Sequence, residues 1–194
     1  LPFGKSRVIS GRITDAFGSP RAGAAIEVSE RRAVSGAEWR PLTTLTADKR
    51  GAFAYRAKPG MARTVRFQHP GTPTTRPAAA EVALRVKAAS TLVPSRRSLH
   101  NGDTVVLRGR LLGRPLPAAG KVVTVQARTR RGWVTFGTAR ARARDGRWSY
   151  RYTFTATSTT VRYRFRAVVL REQAYPYVRG TSPTVTVLVR GSRA

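Results

Sequence analysis

The chain has 194 residues, 41% of them hydrophobic, which suits two domains of ordinary size, each with its own core. Its charge is lopsided, 37 Lys and Arg against 9 Asp and Glu for a net +28, so acidic partners are favoured and acid/base chemistry has few carboxylates to draw on. Cysteine is absent, which excludes disulfides and thiolate-bound metal, and no run reaches the roughly 18 apolar residues a membrane-spanning helix needs.

Taken in order, the segments alternate apolar and polar side chains with the period of two that marks strands. In the first half they are residues 8–13, 25–29, 42–46, 52–57, 63–68 and 81–86. Residues 87–90 read as a linker too brief for free tumbling of two domains. In the second half a short strand at residues 91–93 precedes 105–111, 123–128, 139–144, 148–154, 161–167 and 185–189, about seven strands, as in an immunoglobulin-like sandwich. Asn101-Gly102, Arg131-Gly132 and Asp145-Gly146 supply the positive φ that hairpins require, and Pro115, Pro117, Pro176 and Pro183 interrupt pairing. One-sided alternation implies antiparallel sheets with one wet face. No helix longer than a turn or two is expected.

The halves repeat. Gly11-Arg12 returns as Gly109-Arg110, Gly23 as Gly120, Trp39 as Trp133, residues 51–55 as 146–150, Phe67 as Phe165 and Val82 as Val185, at offsets of 94 to 103. A period near 100 residues is that of a whole domain, not a solenoid unit. The sequence thus predicts an all-β chain of two tandem immunoglobulin-like, Greek-key β-sandwich domains, residues 1–87 and 88–194. Charge is shared unevenly: 16 basic and 6 acidic side chains in the first, 21 and 3 in the second.

The run from Gly11 to Val28, with residues 46–53 after it, resembles the opening strands of carboxypeptidase regulatory-like (transthyretin-like) domains. Residues 102–109, Trp133, Asp145-Gly146-Arg147-Trp148 and residues 163–167 resemble the bacterial Ig-like domains of exported actinobacterial proteins. The resemblance implies a non-catalytic module of a secreted or surface protein. It transfers no ligand-binding residues, and the second copy lacks a counterpart of Asp15.

Candidate chemistry is sparse. Asp48 and Asp145 recur at the same hairpin, which turn chemistry explains better than catalysis. His69 and His100 fall in loops without metal-ligand spacing, and Ser98, His100 and Asp103 crowd one turn, where the opposed geometry of a triad cannot form. No catalytic residue, metal site or cofactor is expected, nor a small-molecule substrate.

Arginine is the one constellation with reach. Arg162, Arg164 and Arg166 alternate on one strand, so they form a row about 6.6 Å apart, with Arg128 on the adjacent strand and Arg140, Arg142 and Arg144 extending the surface. These seven are the expected polyanion-binding residues. A GC-rich genome also writes Arg for Lys, and 32 Arg stand against 5 Lys, but that exchange conserves charge and leaves the basic excess standing. Trp133, Tyr175 and Tyr177 are the candidate aromatic platform, whereas Trp148, Tyr150, Tyr152 and Phe154 share the inward parity of a core strand.

The expected protein is an exported or envelope spacer, adhesion or scaffold module. Its expected partner is an acidic envelope polymer, a membrane surface or another protein, with nucleic acid bound only non-specifically. A dedicated polyanion binder and an accessory module of a larger secreted enzyme are the alternatives. Met61 is the only methionine and the chain opens at Leu1, which fits a processed or trimmed N-terminus.

Overall fold

Alternating side chains and glycine-bearing turns build strands throughout. The computed structural model describes residues 1–73 and 75–191, which hold 15 strands and no helix. Two compact units result, Leu1–Val86 and a second that begins at Lys87.

In the first unit, β1 (Arg7–Arg12) pairs with β4 (Ala52–Ala57), while β3 (Arg40–Thr46), β2 (Ala25–Arg32), β5 (Arg63–His69) and β6 (Ala78–Leu84) make a four-stranded antiparallel sheet in that order. Ile26, Val28, Val65, Phe67 and Leu84 are buried at its centre, with Phe53 and Tyr55 of β4 packed against Phe67.

The second unit repeats that order with additions. One sheet sets β12 (Arg147–Thr153) beside β9 (Thr104–Arg110) and then β7 (Val93–Pro94). The other runs β11 (Gly132–Ala141), β10 (Lys121–Thr129), β13 (Val161–Val169), β15 (Val185–Arg190), with β8 (Ser98–His100) parallel to β15 and β14 (Gly180–Thr181) on β13. Two faced sheets whose opening strand splits between them, with the connection after β11 crossing from one sheet to the other, are an immunoglobulin-like sandwich. The core holds Val105, Leu107, Val123, Val125, Trp148, Phe154, Phe165 and Val187.

A shared irregularity fixes how the units correspond. Register shifts between Val28 and Ser29 opposite β3, and between Val125 and Gln126 opposite β11, leaving Leu42 and Phe136 as extra residues. Anchored there, Arg66 matches Arg166 and Val82 matches Val185, but Phe67 matches Ala167 and Phe165 matches Val65. The expected equivalence of Phe67 with Phe165 is therefore displaced by two residues, because either aromatic fills its core from a neighbouring inward position.

Three other expectations change. Residues 87–90 are not a linker: Lys87 bridges Val178, the Ala88 amide donates to the Val178 carbonyl, and buried Ser90 accepts a hydrogen bond from the Trp148 indole. The arginine-alanine run at 139–144 is not a separate strand; its first three residues end β11 and the rest form the turn into β12. Of the four aromatics given to the core, Trp148 and Phe154 are buried, Tyr150 is half-buried and Tyr152 is exposed at the rim.

Candidate functional site

The outer face of the β11-β10-β13-β15 sheet brings the main arginines together. Inward residues Val123, Val125 and Ala127 leave Thr124, Gln126 and Arg128 outward on β10, and buried Phe165 and Ala167 leave Arg162, Arg164 and Arg166 outward on β13. Arg128 lies opposite Trp133, Arg166 opposite Gln126, Arg164 opposite Thr186 and Arg162 opposite Leu188.

Trp133 organises one end of this face. The Arg166 guanidinium lies 4.2 Å from its ring centroid and that of Arg128 5.9 Å away. Arg166 also donates from Nε and Nη2 to Gln126 Oε1, at 2.9 and 2.8 Å. Its pKa is pushed down from the usual arginine value, first by desolvation and then by the charges of Arg179 and Arg128. Two cations thus share one indole, with the charge of Arg179 felt by Arg166; sequence alternation missed Arg179, since it precedes the two-residue strand β14.

The first unit has the same stack, differently balanced. Arg66 and Arg31 sit 3.9 and 4.8 Å from the Trp39 centroid, and Arg66 donates twice to Glu81 Oε1, at 2.9 and 2.7 Å. On the shared register Glu81 and Glu27 stand where the second unit has Thr184 and Thr124, and Thr64 and Ala62 stand where it has Arg164 and Arg162. At these four positions acid has given way to neutral and neutral to base, although Arg85 stands where the second unit has Leu188.

Nothing in the second unit restores the balance. Its carboxylates are Asp103, Asp145 and Glu172. Asp103 accepts the His100 amide, Asp145 pairs with Arg142, and Glu172 pairs with buried Lys121. Among the described residues, Arg128, Arg162, Arg164 and Arg166 have no carboxylate within 4.0 Å.

The remaining predicted residues go elsewhere. Arg140 is outward on β11 opposite Val122, but its Nη1 donates to the Ala119 carbonyl, away from Trp133. Arg142 and Arg144 lie past the end of β11 in the turn, where both approach Asp145, so they do not extend the face. Tyr175 and Tyr177 are not a platform. They are 1% and 5% exposed, pack at 4.9 Å, and donate their hydroxyls to the Gly113 and Arg114 carbonyls. Burial raises both phenol pKa values. Trp133 itself is half-buried beneath its arginines rather than open for a sugar ring.

Ser98, His100 and Asp103 lie at one turn, where Asp103 Oδ2 accepts the backbone amide of His100. His69 is committed to the Ala25 carbonyl and Thr75 hydroxyl. Among the described residues, no three His, Cys, Asp or Glu side chains cluster as metal ligands.

No family model matches the chain, and no curated protein matches it. Among solved structures, the tetra-tandem repeat from the extending region of a large adhesion protein aligns with 95% of this chain and 46% of its own, at 15% identity and a TM-score of 0.36. The N-terminal four Ig domains of Dscam1 isoform 7.44 align with 98% of this chain and 42% of their own, at 10% identity and a TM-score of 0.43. The chain spans less than half the length of either, and its fold assignment rests on its own strand order.

Proposed function

We propose that the protein is a non-catalytic module of an exported or envelope protein, a spacer, adhesion or scaffold element whose second unit holds an acidic polymer on the β11-β10-β13-β15 face. The observation that carries this reading is the row Arg162, Arg164 and Arg166 beside Arg128, without carboxylate partners among the described residues, where the first unit has Ala62, Thr64 and the acid-paired Arg66 beside Arg31. Like charges on neighbouring strands cost some tenths of a kcal/mol each, and a polyanion lying along the row removes that cost. Flat, exposed and built on strands, the face suits charge spacing more than sequence, so nucleic acid would bind only non-specifically. The actinobacterial and carboxypeptidase regulatory-like affinities suggested by residues 11–28, 46–53 and 102–109 belong to this proposal.

The test is binding of a teichoic-type polymer, heparin and duplex DNA to the full chain across a salt series. Tight binding at low salt that weakens steeply as salt rises supports the proposal. Failure of all three to bind at about 50 mM salt, where surface charge is least screened, would sink it. Binding to anionic vesicles alone would make the partner a membrane surface and overturn the polymer assignment.

A further inference from the structure

The opposite sheet of the second unit carries a separate concentration of guanidinium groups. Across its strands run two neighbouring rungs, Arg147 opposite Arg110 and Ser149 opposite Arg108, with Val93 beyond Arg108 and Thr91 bonded to the Arg110 backbone. Arg140 and Arg142, from the end of β11 and the turn after it, complete a groove of about 610 Å³ whose lining also includes Trp148.

Three features distinguish this groove from a merely basic surface. First, two of its arginines are held by backbone carbonyls: Arg110 Nε donates to Asp145 O and Arg140 Nη1 to Ala119 O, which fixes those side chains without spending their charge. Second, the one carboxylate in reach, Asp145, is occupied by Arg142 and by the Arg147 amide. Third, the first unit serves as an internal control. In each unit a glycine lies under an aromatic ring of the facing strand, Gly11 beneath Phe53 and Gly109 beneath Trp148, so the rungs correspond residue for residue. There the first unit has Arg12 opposite Ala52 and Ser10 opposite Ala54. Neither the fold nor its turns require five arginines at this place.

We infer that this groove is a binding site for a compact oxyanion of the phosphoryl class carrying more than one negative charge. Guanidinium forks match phosphoryl oxygens in pairs, and Ser149 and Thr91 are also among the lining residues. The volume has room for a short run of linked phosphoryl groups. Such groups occur as free polyphosphate or as the repeating diester of an envelope polymer, and the site would recognise what the two share. The groove stands apart from the arginine row proposed above and does not depend on it.

The test is calorimetric titration of the full chain, at about 100 mM salt, with inorganic tripolyphosphate and in parallel with a short glycerol-phosphate oligomer. Arg108→Thr with Arg147→Thr removes two groove guanidiniums that make no side-chain hydrogen bond among the described residues. Arg162→Thr with Arg164→Thr and Arg166→Thr removes the row on the other sheet. For tripolyphosphate one site per chain is expected, weakened about tenfold or more by the groove pair and less than about threefold by the row triple, since its charge-assisted contacts are lost only in the first. The tighter of the two probes identifies the source. Equal weakening by both variants, several equivalent sites, or no binding of either probe overturns the inference. Loss of polymer binding in the row triple with tripolyphosphate binding kept would leave both readings standing, whereas polymer binding untouched by that triple would remove the first alone.

Discussion

Substituting Arg162, Arg164 and Arg166 with Thr gives the arginine row a quantitative test. Four guanidiniums, these and Arg128, lie outward on adjacent strands, and each that neutralises one phosphate of a duplex DNA probe adds about 0.9 to the slope of log affinity against log salt. Four contacts give a slope of about 3.6, so raising salt from about 50 to about 200 mM weakens binding about 150-fold. With only Arg128 left, the slope falls to about 0.9 and the same change in salt weakens binding about 3.5-fold. Stability should fall only modestly. Arg162 and Arg164 are exposed, and Arg166 forfeits a stack on Trp133 worth about 0.5–1 kcal/mol and its two part-buried bonds to Gln126, about 1 kcal/mol more, while relieving repulsion from Arg128 and Arg179. Fluorescence anisotropy across the salt series reads the slope, and thermal unfolding reads the stability. An unchanged slope would place the phosphates elsewhere, and a loss beyond about 3 kcal/mol would mean that the row faces the core.

Gly180→Ala would place a Cβ 1.8 Å from the Ala88 carbonyl, so it should cost about 2 kcal/mol or more in urea unfolding; a neutral result would return residues 87–90 to the role of linker. Trp148→Phe deletes the indole donor to buried Ser90 and should cost about 1–3 kcal/mol, with Ser90→Ala adding less than its own full effect, since the pair shares one bond. The Asp48 carboxyl is held below its usual pKa by the Ala52 and Arg50 amides, and that of Asp145 by the Arg147 amide and then Arg142. Their stabilisation is complete above the unfolded value near 3.8 and is lost as pH falls through the lower folded values; Asp48→Asn with Asp145→Asn should flatten that acid limb of the melting temperature. Burial raises the Tyr175 and Tyr177 phenols instead, so their stabilisation is complete below pH 10.0 and declines as pH rises beyond it, and Tyr177→Phe should soften the alkaline limb.

Strand alternation made the sandwich legible, because inward and outward side chains differ in kind at nearly every position of β9, β10, β13 and β15. It failed where parity is broken. The extra residue at Phe136 turns Thr138 and Arg140 outward on a strand whose earlier outward residues are Trp133 and Thr135, so simple alternation cannot carry the surface from one end of β11 to the other. Tyr175-Pro176-Tyr177 reads as a loop because of its proline, yet its rings fill a cavity beside Gly113, where a side chain on that glycine would meet them at 2.6–2.7 Å. Burial of a loop depends on what folds over it, and local sequence holds no such term. The groove was hidden for a related reason: Arg108, Arg110 and Arg147 each follow strand alternation, but only the pairing of β9 with β12 sets Arg110 against Arg147.

The repeat itself separates scaffold from surface. Positions where the copies agree are those geometry demands: Gly51 and Gly146 at φ 70° and 71°, the Trp39 and Trp133 stacks, and the Gly11 and Gly109 seats for an aromatic ring. Where they diverge, charge moves in both directions, Arg40 becoming Val134 and Arg85 becoming Leu188, but the gains gather at the two arginine-bearing places. Glu81 becomes Thr184, Thr64 becomes Arg164, Ser10 becomes Arg108 and Ala52 becomes Arg147, on both outer faces, with the strand pairing kept. Arginine-for-lysine codon preference conserves charge and accounts for none of these four. Repulsion among the added cations works against folding, a cost that the anion binding proposed above would relieve.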